Sequence, residues 1–306
     1  MTAEATNLSA APMAAAGPRN RPGRGQQIRG YLRRNPSLGI GVAMIAGLIL
    51  FSLIGSLFVD ERMARPLSAP PSQPPTAAHP FGSDSQGRDL FAVLVYGTWL
   101  TVRLGLVAGA IGVLIGGALG FISAYFGGWT DRIINFVTDV LLTVPALLIL
   151  VIVASAIKEG LTPTTMALII AALAWRRPAR QIRAQVLVMR GAGYVNTARI
   201  SGAGPFEIIF CELVPNLLPF LVASFVTAVS AAVLASIGLE AMGLGPKNAP
   251  TLGMTIYYMM NFSAFLLKLW WWIVPPIAAL VILFVGLYLI NTGLDELSNP
   301  RLRRRA

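Results

Sequence analysis

Cysteine and histidine are almost missing from this chain. One cysteine, Cys211, and one histidine, His79, stand among 306 residues. An intrachain disulfide and a cysteine metal cluster are excluded, and most histidine acid–base and metal chemistry goes with them. Charge is scarce too: 12% of residues are Asp, Glu, Lys or Arg, and 55% are hydrophobic. A mean hydropathy of +0.68 lies outside the range of a soluble globular domain. No Gly-x-x-x-x-Gly-Lys-Ser/Thr phosphate loop is present, so the chain does not hydrolyse ATP by that route. No His-Glu-x-x-His, Gly-x-Ser-x-Gly or other nucleophile–base pair appears, so the protein reads as a non-enzyme with no metal site and no cofactor of its own.

What is present is a series of apolar runs. Residues 1–36, rich in Ala, Pro, Gly and Arg without apolar period, read as a disordered basic arm. Residues 37–59 form the first run, long enough to cross about 30 Å of hydrocarbon, and read as an uncleaved signal-anchor. A Pro-rich, charged loop with a short amphipathic stretch, Leu90 to Tyr96, occupies residues 60–97. The core, 98–291, holds further spans near Leu100–Tyr125, Ile133–Ile157, from Thr164 up to Arg176, Leu217–Leu239 and Trp270–Ile290. A basic tail, 292–306, closes the chain. The expectation is an all-α polytopic membrane protein with about six transmembrane helices.

Six crossings put both termini on one side. Seventeen of the 24 basic residues fall on that side and seven on the other, so both ends and the loop 183–216 are expected to be cytoplasmic. The net charge of +11 therefore points to membrane topology and not to nucleic acid. Gly105, Gly109, Gly112, Gly116 and Gly120 recur at helical spacing and predict close packing of the second span. Pro145 and the pair Pro275–Pro276 predict bends or breaks in the third and last spans, of use in gating or simply structural.

The intramembrane polar residues are the first candidate site. Asp139, costly in hydrocarbon, is expected to bond a neighbouring helix in preference to relaying protons. Arg176 and Arg177 either snorkel to the interface or line a pathway that attracts a carboxylate. Ser236 and Glu240 join them as pathway or structural candidates. The second candidate is a polar hairpin before the fifth span. A helix around Ala198, a turn at Gly202 and a second helix stopped at Pro215 would make a rigid protrusion able to receive force from the cytoplasm.

These residues carry a family resemblance. His79-Pro80-Phe81-Gly82-Ser83-Asp84-Ser85-Gln86-Gly87-Arg88-Asp89 resembles a segment that follows the first span in C-type inner-membrane permease subunits of dipeptide/oligopeptide and nickel ABC importers. Gly127–Gly128 with Asp131–Arg132, Asp139 and Pro145, then Gly243-Leu244-Gly245, Gly253–Met254 and Asn299-Pro300-Arg301, resemble further signatures of that family. The hairpin is similar to its EAA motif through Ala198, Gly202 and Pro215. Asn196–Thr197 replace the motif's Glu-Ala, Cys211–Glu212 a basic pair, and Ser236 a frequent glutamate, while Glu240 stands where serine is usual. Trp99 and Asp295–Glu296 also depart from the pattern.

The resemblance implies a type I ABC importer permease fold, similar to the methionine importer's permease. It implies a coupling helix seated in a separate ATPase through Asn196, Thr197, Ala198, Arg199, Ser201, Gly202, Ala203, Gly204, Pro205 and Phe206, with Pro215 starting the next span. The implied partners are a second homologous permease, two ATP-binding subunits that hold ATP and Mg, and an extracytoplasmic solute-binding protein. The implied location is the bacterial inner membrane and the implied cargo short peptides or a related small solute. An ion-gradient-driven secondary transporter is the alternative reading.

Overall fold

The computed structural model describes residues 35–157 and 160–298, with side chains to residue 294. The expected arm up to residue 34 and the tail from residue 299, with Asn299-Pro300-Arg301, lie outside the described residues. Among those described, every extended element is a helix. Four are long and apolar enough to cross a bilayer: α1 (Pro36–Gly55), α2 (Leu90–Phe126), α8 (Pro205–Ala241) and α10 (Trp270–Ser298). Between them lie α3 (Gly128–Thr143), α4 (Ala146–Ala156), α5 (Pro163–Ala174), α6 (Arg176–Met189) and α7 (Gly193–Ile200), with α9 (Leu252–Asn261) before α10.

Of the six expected spans, α3 and α4 together supply one, as a pair bent by 83°. The expected span from Thr164 to Arg176 is only the twelve-residue α5, about 18 Å of helix against roughly 30 Å of hydrocarbon, so among the described residues four helices, or five with the bent pair, are long and apolar enough to cross. The expected amphipathic stretch Leu90–Tyr96 is no separate element. It forms the first turns of the 37-residue α2, whose N-terminus is capped by Asp89.

Pro145 breaks the third span as expected, because it has no N–H to give to Leu141. Pro275 and Pro276 behave otherwise: α10 runs through both as one helix. Pro215 likewise does not stop the second helix of the hairpin. The residues before it, Ile208–Leu213, form a π-helical segment, in which Val214 bonds back to Ile209, and the wider turn carries the helix past the proline into the span.

The glycines of α2 do what their spacing predicts. Gly105 and Gly109 lie against Val229 and Val233 of α8; Gly112 meets Ala174 at the end of α5. A Cβ on Gly116 would stand 2.9 Å from the Ala179 N, and one on Gly120 only 2.8 Å from the Ala179 O, so α6 rests backbone-to-backbone on α2. A similar seam joins α1 to α10, where a Cβ on Gly41 would be 2.7 Å from the Gly286 O.

Segment 79–89 is a folded knot on the end of α2. Asp84 takes the Arg88 guanidinium at 2.6 Å and the N–H groups of Gln86 and Arg88 at 2.8 and 2.9 Å, while Arg88 lies 4.3 Å over the Tyr258 ring. His79 Nδ1 is 2.6 Å from Asp89, whose other oxygen accepts from the Ala92 N–H at 2.8 Å. Gly82 and Gly87 take φ of +69° and +70°, the left-handed turn conformation that side chains disfavour. These contacts account for the pattern of polar residues there without any role in chemistry.

The seam is testable. Gly120→Val overfills a backbone contact and is expected to cost roughly 1–3 kcal/mol, read as a lower melting temperature in detergent. Gly47→Val, at a position with nothing within 4 Å, is expected to leave it unchanged.

Candidate coupling segment and intramembrane cavity

The hairpin is built by local chemistry. Helix α7 ends where Gly202 adopts φ +88°; the Gly202 N–H returns to the Arg199 carbonyl and the Ala203 N–H to the Ala198 carbonyl, both at 3.1 Å. That is a Schellman closure, and Ala198 and Ala203, its two apolar partners, both pack on the cluster around Val195, Ile208 and Ile209. Glycine is required here by the positive φ and not by neighbouring atoms, since a Cβ at Gly202 would meet nothing within 4 Å. The bounds shift as well. The first helix ends at Ile200, and Pro205 and Phe206 open α8.

Asn196, Thr197, Arg199, Ser201 and Phe206 are exposed, with Ala198, Ala203 and Gly204 half-buried beneath them. Sequence reading missed Ile200, which is 88% exposed at the tip. Its signal was available: an isoleucine directly after Arg199 at the end of a short helix, while Val195 and Ala198 already supply the inward face.

Helix α6 presents arginines on the face turned to α3. Arg183 donates Nε and Nη2 to the two carboxylate oxygens of Asp131 at 2.6 Å each, and Asp131 also receives Asn135 at 2.6 Å and the Ser123 hydroxyl. The pairing with Asp131 raises Arg183 further above its ordinary value. Arg180 lies 3.3 Å from Asp139. Asp139 thus bonds a neighbouring helix as expected, although both side chains stay exposed. Arg176 donates to the Leu141 carbonyl and, at 2.8 Å, to the Leu173 carbonyl. Leu141 is the residue that Pro145 leaves without a partner, four positions back, so Arg176 repairs the break. This adds a structural contact to the two roles expected of it, and Arg176 also borders the intramembrane cavity. Arg190 closes the row on the Ala124 carbonyl at 2.6 Å.

Ser236 and Glu240 belong to a third structure. Glu240 is buried and accepts Ser236 Oγ at 2.8 Å and Thr251 Oγ1 at 2.7 Å, with the N–H groups of Gly253 and Met254 also directed to it. Gly245 and Gly253 leave no room for a side chain beside it. The acid therefore ties the loop 242–251 and the start of α9 to α8, at a helix N-terminus that favours negative charge. Ser236 and Glu240 are one turn apart in a single hydrogen-bonded pair.

Between α4, α5, α6 and α8 lies a cavity of about 610 Å³. Its walls are apolar except for Arg176, Arg177, Gln181, Ser224 and Thr227. A second, of about 600 Å³, lies between the α4–α5 turn and residues 243–249.

A helical membrane bundle with an exposed, rigidly capped hairpin is the class that this geometry defines. Residues 116–304 match the model of the family described as binding-protein-dependent transport system inner membrane component, more than half of the chain. The chain belongs to that family. It is 32% identical, over 74% of its length and 75% of the relative's, to the probable D,D-dipeptide transport system permease protein of Escherichia coli K12. It is 29% identical to the dipeptide transport system permease protein of Bacillus subtilis 168, over 89% and 84% of the two chains. Among solved structures, inward-facing MetNI methionine ABC transporter gives a TM-score of 0.54 at 22% identity, covering 70% of this chain and 97% of that one, a likeness of fold.

Removing the Glu240 carboxylate leaves buried donors without an acceptor, at roughly 1–3 kcal/mol each. Glu240→Ala is expected to lower the melting temperature in detergent sharply and Glu240→Gln by less; a stable Glu240→Ala protein would contradict the tie between α8 and the loop before α9.

Proposed function

We propose that this chain is one permease subunit of an ATP-driven, binding-protein-dependent importer for short peptides or a related small solute. The observation that carries the reading is the hairpin: a short helix closed by a Schellman turn, exposed on its outer side and continuous with a 37-residue span. Such a part transmits force and does no chemistry. Its exposed surface, from Asn196 to Phe206 with Ile200 at the tip, is the surface offered to a groove in the ATP-binding subunit.

In this reading the arginine-rich side is cytoplasmic, with both termini and the hairpin on it. Two ATP-binding subunits hold ATP and Mg and close on nucleotide, and the docked helix swings the spans between two states. A second, homologous permease completes the pathway, and an extracytoplasmic binding protein delivers solute to the opposite face. The relatives' names, dipeptide and D,D-dipeptide permeases, support peptide as the cargo. A coupled bundle of this kind needs no ion site within the chain, which separates it from a gradient-driven carrier.

The test uses the complete complex in proteoliposomes. Gly202→Val forces a β-branched side chain into a positive-φ turn and is expected to abolish ATP-driven uptake while assembly in the membrane persists. Normal uptake by that variant would overturn the docking assignment.

A further inference from the structure

Helix α6 and its end carry five arginines, and four of them are taken. Arg176 is held by the Leu141 and Leu173 carbonyls, Arg180 by Asp139, Arg183 by Asp131 and Arg190 by the Ala124 carbonyl. Arg177 has no hydrogen bond or ion pair among the described residues, and it lines the cavity of about 610 Å³. No aspartate or glutamate shares that lining. Arg177 is exposed where it borders this cavity, so water or an entering anion reaches it, and the lining supplies no counter-charge of its own.

We propose that Arg177 receives the carboxylate of the transported solute as it passes through this cavity. The inference rests on the permease reading above and names the chemistry of its cargo. A guanidinium offers two parallel donors to a carboxylate, which an ammonium does not. Gln181, Ser224 and Thr227 place neutral hydrogen-bonding groups on the same walls. The remaining lining, from Leu147, Ile170 and their neighbours, accepts an apolar body of varied shape, and the volume lies in the range of small-molecule sites, roughly 300–1,000 Å³. The site therefore fits a small amphipathic solute with one carboxylate and tolerates variation in the rest. Arg176, fixed on two carbonyls, supports the bend beside the site and is not itself offered to the ligand.

The experiment compares trialanine with trialanine amide, which lacks the carboxylate, as probes for initial uptake by the complete complex with its binding protein in proteoliposomes. For Arg177→Gln, uptake of the acid is expected to fall about tenfold, as for loss of one charge-assisted hydrogen bond, with amide uptake unchanged. Arg177→Lys is expected to recover part of the acid uptake. Equal loss for both probes, or no loss for either, overturns the site, as does an ATP-hydrolysing complex that carries neither probe. Suppression of Arg177→Gln by neutralising an acid on the second permease would reassign the cation to the subunit interface. Uptake that proceeds without ATP sinks the permease reading itself, whereas ATP-driven uptake with an unchanged acid-to-amide ratio sinks this site alone.

Discussion

Pro145 carries no N–H, so the carbonyl of Leu141 loses the bond that an unbroken helix would give it. In hydrocarbon no water takes that place, and an unsatisfied carbonyl costs several kcal/mol. The donor comes from Arg176 on another helix, and that single contact ties the bend of the α3–α4 pair to the start of α6. The remaining stitches follow from it. Once α6 lies antiparallel along α3, Arg180 reaches Asp139 and Arg183 reaches Asp131. The glycines of α2 then let α6 settle onto its backbone. Since α7 follows α6 after a turn of three residues, the hairpin stands on a base fixed at four points.

This arrangement gives the arginines of α6 two kinds of work. Those on the α3 side hold the bend and pair with Asp139 and Asp131. Arg177 lies off that row and opens on the cavity. In the proposed mechanism, a push on α7 reaches the cavity wall through the row of paired arginines, and the cavity is where the solute meets Arg177, the arginine of that lining without a hydrogen bond or ion pair. The buried acid at Glu240 serves a different end of the molecule, holding the loop before α9 in one shape.

Much of this was legible in the residues. Apolar runs located the spans, the five glycines of the second span predicted its close contacts, and Pro145 marked the break. Gly202 marked the turn, whose positive φ requires it. What was not legible required a third dimension. No periodicity says that an arginine at 176 will find the carbonyl abandoned at 141, because the two are joined only by the antiparallel packing of α3 and α6. Pro215 and Pro275–Pro276 misled for a related reason: a proline removes one hydrogen bond, and whether the helix stops depends on how neighbouring turns adapt. Leu90–Tyr96 read as amphipathic because its polar neighbours are buried in the knot at Asp84 and Asp89, not facing solvent. Ser236 and Glu240 read equally as pathway or structural candidates, because the partners that fix the acid, Thr251 and two glycines, come together only in the fold.

The most direct measurement addresses whether α3 and α6 move as one body. Spin labels at Val137 and Val188, both exposed, on a Cys211→Ser background in the complete complex, report the separation of the two helices by pulsed electron resonance. The account expects the same distance in the nucleotide-free and ATP-trapped states, with the pair displaced together. A shift of several ångströms between them on nucleotide binding would contradict it, because the arginine row would then be a sliding contact and not a rigid link.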